Sequence, residues 1–340
     1  MKNFVKAVVF TLIFAVLFSY AQTLLSRKET GGWWNTTAKI EGFYNSPENE
    51  YDVMFFGSSN AYCSFNPLVI WEKTGVKSYV FATQQQPVWA TYHYMVDAFK
   101  TQSPELVVMD VLMLSQNKEY YDDGVNYTFC DNMPLSKNKI ELAMVSAPEG
   151  ERFGLLCNFV KYHSRWNELK KQDFEYKKQE MRDYSKGFCV LTGVYDGEIA
   201  REDVSDVDTC AEILPKNSEY LQKIIDLCKE KDVRLLLVKT PCNATCEEKE
   251  YYNSVEKIAK ENDVEFVDYN LQYDKIGLDL GTDFYDNSHL NTWGAEKFSE
   301  YFVENVDYFA EKEKDNDAWE LDYQKYLEET EKNITKTIDK

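Results

Sequence analysis

Five short apolar runs, spaced by stretches of helical periodicity, constrain this chain more than any other feature. They fall at 53–56 (Val-Met-Phe-Phe), 77–82, 106–111, 234–238 and 264–267. Such runs, bounded by turn signals such as Gly57 and Thr240-Pro241, read as buried strands. The intervening stretches read as helices: 67–74, 87–101 with Pro87 in its first turn, 217–231, 247–262 and 293–305. In 217–231, Tyr220, Ile224, Ile225 and Cys228 share one face. Strands alternating with helices predict an α/β fold with a parallel sheet covered on both faces and right-handed crossovers.

The alternation lapses between about 115 and 214, a stretch rich in Tyr, Asn, Asp and Lys, with helical pieces near 135–145 and 153–178. An insertion after the third strand is expected near the sheet's carboxyl edge, as a cap that shapes a substrate site. The competing expectation is a peripheral decoration. Residues 311–340 are dense in Glu, Lys and Asp and carry Trp319, Tyr323, Tyr326 and Leu327 as the apolar stripe of a helix packed back on the domain.

At the other end, Lys2 and Lys6 precede nineteen uncharged residues, 7–25, just long enough to cross a bilayer as a helix. Two readings compete. One is an uncleaved anchor; the other is a signal peptide cut after Ala21, where Ser19-Tyr20-Ala21 offers small residues. Either places most of the chain outside the cytoplasm, as a single-pass cell-membrane protein or a secreted one. Residues 29–50, with Gly31-Gly32 and Ser46-Pro47, read as a stalk. Trp33 and Trp34 within it suit either a membrane interface or the domain surface. The expected organisation is therefore 1–28 membrane segment, 29–50 stalk, 51–310 catalytic domain with its insertion, and 311–340 charged helix.

A formal charge of −20 over 340 residues supplies no basic field for nucleic acid. Eight cysteines in an oxidising compartment allow up to four bridges, of which Cys242–Cys246 is the favoured pair. The alternative is that most are small buried apolar residues. Cys242-x3-Cys246 has no second pair and no nearby histidine, so no metal site is expected, and nothing calls for a cofactor.

The chemistry concentrates in two segments. Gly57-Ser58-Ser59-Asn60 follows the first strand, where open α/β sheets bind ligands beyond the carboxyl ends of their strands. Asp286-Asn287-Ser288-His289 precedes the closing helix. A serine becomes a nucleophile when a base takes its proton and a carboxylate orients that base. Ser59 is the expected nucleophile, with Ser58 the runner-up; His289 is the base and Asp286 its orienter. Of the other two histidines, His93 reads as a packing or surface residue, and His163 as one that could reach substrate from the insertion. For Asp286 the alternative role is to cap the closing helix, which Asn291 and Thr292 could do as well.

Together these two segments resemble the SGNH (GDSL-type) hydrolase superfamily. Its Gly-Asp-Ser block corresponds to Gly57-Ser58-Ser59 and its Asp-x-x-His block to Asp286 and His289. The resemblance covers about 52–111 and 216–305. It implies a three-layer α/β/α sandwich with a parallel, flavodoxin-like sheet. It also implies hydrolysis or transfer of an acyl group through an acyl-Ser59 intermediate. Ser58 departs from the family's aspartate, and the blocks that supply oxyanion donors lack their usual form. The Ser59 N–H is expected as one donor, with a second from Gln84, Gln85, Gln86 or a nearby backbone N–H, and Asn60 a further candidate. The Gly-Ser-Ser variant, the membrane segment and the insertion are similar to extracytoplasmic members that acylate the cell envelope: the D-alanyl transfer protein of the lipoteichoic acid pathway and the alginate O-acetylation proteins. That likeness implies an acylated cell-surface glycan or glycolipid as substrate and a membrane-bound O-acyltransferase as partner. The alternatives are a stand-alone carboxylester hydrolase or lipase, and a catalytically degenerate scaffold that binds glycan or a partner.

Overall fold

The computed structural model describes residues 1–30, 35–314 and 317–338, with side chains of the last helix described through residue 331. Trp33 and Trp34 fall outside the described residues. The five apolar runs form one parallel sheet. Its strands are β1 (Val53–Phe56), β2 (Ser78–Val80), β3 (Leu106–Asp110), β4 (Arg234–Lys239) and β5 (Glu265–Asp268), in the order β2-β1-β3-β4-β5. This is the flavodoxin-like doubly wound order, whose switch point lies between β1 and β3. Every residue of β1, β2 and β3 is buried, which explains why these runs show no polar alternation.

Helices cover both faces. On one side Pro67–Thr74, Thr292–Asn305 and the terminal Asp317–Ile338 pack together. On the other, Val88–Ala98 packs against Pro215–Glu230, and Cys246–Glu261 against β5. Local chemistry sets their ends. Asn66 caps Pro67–Thr74 by accepting from Leu68 and Val69. A capping box, Thr245 with Glu248, starts Cys246–Glu261. Pro87 stands just outside its helix as the cap residue, one position earlier than its expected place in the first turn.

Three segments differ from expectation. Within 29–50, expected as a stalk, helix Thr36–Tyr44 is buried through Phe43, whose ring stacks on Phe81 at 4.0 Å. Two apolar anchors, Ile40 and Phe43, outweigh the loop-like composition around them. The helical piece read at 153–178 is broken into Arg152–Leu156, Asn158–Tyr162, a 3₁₀ turn His163–Asn167 and Lys171–Glu175. Extended backbone at Cys157 (φ −127°, ψ 95°) makes the first break. Third, no disulfide joins any of the eight cysteines. Cys242 is buried, whereas Cys246 opens a helix with its Sγ 3.6 Å from the Asp203 carbonyl.

The terminal helix lies back on the domain. Trp319 is buried with its indole N–H donated to Glu50 at 2.7 Å, and Asp322 takes Lys186 at 2.6 Å. The residues leading out of the insertion form a strap along the carboxyl edge of the sheet. The Lys186 carbonyl accepts from Val80 at the end of β2 (2.9 Å), and Cys189 N–H donates to the Tyr62 carbonyl (2.8 Å). The Leu191 carbonyl accepts from Thr292 (2.8 Å), and Tyr195 N–H donates to the Phe284 carbonyl (2.9 Å). Further on, the Arg201 guanidinium lies 3.6 Å over the Tyr273 ring.

Candidate active site

At the end of β1 the chain turns through Gly57 at φ 147°, a conformation that suits glycine. A Cβ there would come within 3.0 Å of both the Ala61 and Asp110 side chains. Ser58 is the extended cap residue of the short helix Ser59–Ser64. Ser59 thus sits at the carboxyl edge in a first helical turn, where backbone N–H groups have no intrahelical acceptor.

Ser59 Oγ lies 2.8 Å from His289 Nε2. The other ring nitrogen, Nδ1, is 2.8 Å from Asp286 Oδ2 and 3.1 Å from Oδ1. A carboxylate only accepts, so Nδ1 carries the proton and Nε2 turns its lone pair to the serine hydroxyl. Asp286 Oδ1 also accepts the backbone N–H groups of Ser288 and His289, each at 2.8 Å. Burial opposes ionisation of Asp286. The hydrogen bond and charge of His289, with the two backbone donors, outweigh it and hold the carboxyl below its ordinary value.

The loop that presents this pair is pinned on both sides. Phe284 and Leu290 form an antiparallel bridge, and Tyr285 N–H donates to the His289 carbonyl at 2.9 Å. Asn291 caps the closing helix by accepting from Trp293 (3.1 Å) and Gly294 (3.0 Å), and donates to the carbonyls of Thr282 (2.7 Å) and Gly193 (3.1 Å). Asp286 is thereby left to the histidine.

A buried ion pair braces the same edge between β3 and β4. Asp110 Oδ2 accepts from Lys239 Nζ (3.4 Å), Thr240 N–H (2.9 Å) and Thr240 Oγ1 (2.8 Å), while its Oδ1 takes Leu112 N–H (3.1 Å). Both charged side chains are fully buried. Burial works against the Lys239 charge, but Asp110 outweighs it and keeps the ammonium above its ordinary value. Sequence reasoning missed this brace; the signal was a charged residue closing each of two apolar runs, Asp110 and Lys239. Beside helix Ser59–Ser64, the Lys39 ammonium lies 3.7 Å over the Tyr62 ring. The buried thiols of Cys63 and Cys189 there hydrogen-bond to each other. Burial keeps Cys63 well above its ordinary value.

The remaining candidates separate. In the loop after β2, Gln86 is buried and tied on both sides, to Thr83 Oγ1 (3.1 Å) and Thr91 Oγ1 (3.0 Å). Gln85 is exposed at φ 46°, and Gln84 is half-buried. Asn60 is buried, and neither polar atom of its amide has a partner among the described residues. His93 is buried with Nδ1 2.7 Å from Asn138 Oδ1, and burial lowers its basicity. His163 does not join Ser59, Asp286 and His289. It is exposed on the 3₁₀ turn that packs against helix Lys2–Leu25, with Nδ1 2.9 Å from the Val160 carbonyl.

Comparison with known proteins gives a family-model match over residues 164–311, less than half of the chain. No curated protein matches. Among solved structures, a Bacteroides fragilis protein provisionally described as an acylhydrolase is similar at 13% identity and a TM-score of 0.36. That match covers 81% of this chain and 96% of the other. A Parabacteroides merdae protein provisionally described as a GDSL-like lipase is similar at 11% identity and a TM-score of 0.37, over 76% and 96% of the two chains. Likeness at this level carries no argument about the reaction, which rests on the geometry above.

Proposed function

We propose that the chain is an extracytoplasmic SGNH-type serine esterase or acyltransferase that works through an acyl-Ser59 intermediate. The observation that carries this is the continuous relay from Ser59 Oγ through His289 to Asp286, with 2.8 Å at each step. Support comes from the nucleophile's place at the end of β1, next to the switch point of a 2-1-3-4-5 sheet.

In this reading Ser59 Oγ attacks an ester carbonyl as His289 Nε2 takes its proton. The tetrahedral oxyanion is met by the Ser59 N–H and by a second donor, for which the Gln84 amide is our choice. Gln86 is committed to Thr83 and Thr91, and the Asn60 amide is enclosed. Collapse expels the alkoxide, which takes the proton back from Nε2. Water or an acceptor hydroxyl, deprotonated by the same nitrogen, then attacks the acyl-serine and releases Ser59. Asp286 holds the tautomer and balances the imidazolium throughout.

The proposed substrate is an O-acyl group on a cell-envelope glycan or glycolipid, with a membrane-bound O-acyltransferase as partner. The supporting observation is helix Lys2–Leu25, apolar enough to span a membrane, whose last turn is built into the domain. Treatment with a fluorophosphonate should label wild type at Ser59 and leave Ser59→Ala unmodified. Turnover of p-nitrophenyl acetate without a partner would favour a stand-alone carboxylester hydrolase. Absence of labelling, with function intact in Ser59→Ala, would overturn the acyl-enzyme.

A further inference from the structure

We propose that residues 153–174 form a foot that dips into the outer boundary of the bilayer, seating Phe153, Phe159, Trp166 and Phe174 among headgroups and upper acyl chains. This rests on the reading of Lys2–Leu25 as an uncleaved anchor. The segment was expected to cap the active site, but its short helices pack against the apolar N-terminal helix.

The junction is built. Arg165 donates to the Leu25 and Ser26 carbonyls, each at 2.6 Å, and Lys28 to the Leu24 carbonyl at 2.7 Å. These are the carbonyls a helix leaves without partners at its carboxyl end, and cationic donors suit that end. Asn158 donates to Ser26 Oγ at 2.9 Å, and Asp173 bridges Lys28 (3.2 Å) and Arg165 (3.3 Å). Cleavage after Ala21 would spare this collar, whose contacts lie at residues 24–28, but would remove Phe18, Leu12, Val16 and Tyr20, against which Phe159 and Phe174 lie.

Depth follows from the contacts. The Phe159 ring lies 5.5 Å from Phe18, and Phe174 shares a cleft with Leu12, Val16 and Tyr20. At the helical rise of about 1.5 Å per residue, Phe18 sits about 10 Å below Leu25. Side chains touching the helix there lie at the depth of an interfacial segment, about 5–10 Å into the headgroup–acyl boundary. Yet Phe153 is 64% exposed, Trp166 72% and Phe174 57%, so protein does not cover them. Aromatic residues favour that level of a bilayer. Charge adds little: residues 151–180 hold seven basic side chains against five acidic, and Lys161 and Lys178 pair with Asp131 and Glu41 outside that stretch, so the seating rests on the rings.

The test uses the full-length chain in vesicles of phosphatidylcholine and phosphatidylglycerol with brominated acyl chains, which quench nearby indoles. Tryptophan emission should be quenched, and Trp166→Phe, with unchanged Tm, should lose the Trp166 share of that quench. Vesicle-bound chain whose quenching is identical in wild type and Trp166→Phe would overturn the foot and leave the anchor standing. Chain that does not float with vesicles would overturn both. In native membranes, p-benzoylphenylalanine in place of Phe174 should crosslink to phospholipid; crosslinking to a protein instead would overturn the lipid assignment in favour of a protein partner.

Discussion

At the carboxyl edge of the sheet, the charged side chains are matched, although the buried Asn60 amide beside them has no partner among the described residues. Asp110 is shared among Lys239, Thr240 and Leu112, and Asp286 among His289 and two backbone donors. Around residues 153–174 the pattern inverts: aromatic side chains stand in the open, held up by polar bonds to a helix end. Buried charge is costly unless paired, so the edge is a place where one substitution has large consequences. Exposed aromatic area costs little in the folded chain and demands an apolar partner, so the foot should tolerate change until a membrane is present. One region is built to hold atoms still, the other to meet a surface.

The sharpest break in that contrast is Ser59→Ala. It should lower kcat by up to about 10⁶-fold without shifting Tm, because the hydroxyl supports chemistry and little else. Stopped-assay kinetics with an activated ester, beside thermal melting, checks both halves. Next, Asp286→Asn should cost about 10⁴-fold in kcat by releasing the histidine tautomer.

The same residue gives a pH signature. Its folded pKa is depressed, so its stabilising contribution is present above the ordinary carboxylate range and lost as pH falls through the folded value. Melting curves of wild type and Asp286→Asn should therefore differ at neutral pH and converge in strong acid. A gap that widens on acidification would contradict the assignment.

Third comes the brace. Lys239→Met strands Asp110 in the interior and should cost about 3–5 kcal/mol by denaturant unfolding. Adding Asp110→Asn should recover much of that loss, because the uncompensated charge goes. Fourth, Gln84→Ala should cost about 2.7–4 kcal/mol of transition-state stabilisation, seen in kcat more than KM. Gln86→Ala should instead destabilise the fold by about 1–3 kcal/mol, since it breaks the bridge between Thr83 and Thr91. Equal kinetic losses in the two variants would deny Gln84 its special place. Smallest of all, Phe174→Ser should change detergent-solubilised stability by no more than about 0.5 kcal/mol. A larger loss would mean that its ring is packed, contrary to its exposure.

What could be read beforehand follows from how local the determinants are. The strands announced themselves because parallel strands buried on both faces are apolar throughout, as Val53–Phe56 is. Ser59, His289 and Asp286 could be singled out as a set because the chain holds three histidines and one of them follows an aspartate by three residues. The Asp110–Lys239 pair was not, since 129 positions separate its members and only the register of β3 beside β4 unites them. Helix Thr36–Tyr44 hid among Gly, Asn and Pro, because its burial is decided by Phe81 and Tyr79, far along the chain. The stretch 153–178 kept helical composition throughout; its breaks are set by tertiary bonds to the N-terminal helix, which no local pattern records.

The Ser59–His289 contact closes a loop of 230 residues, and the strap that borders it comes from the middle of that loop. A growing chain therefore carries its hydroxyl long before it has anything to deprotonate it. Loop closure over such a span is entropically modest but kinetically late. Reactivity should switch on as the last event of maturation, so a ribosome-tethered fragment ending before position 289 would be chemically silent however well its first strands had formed.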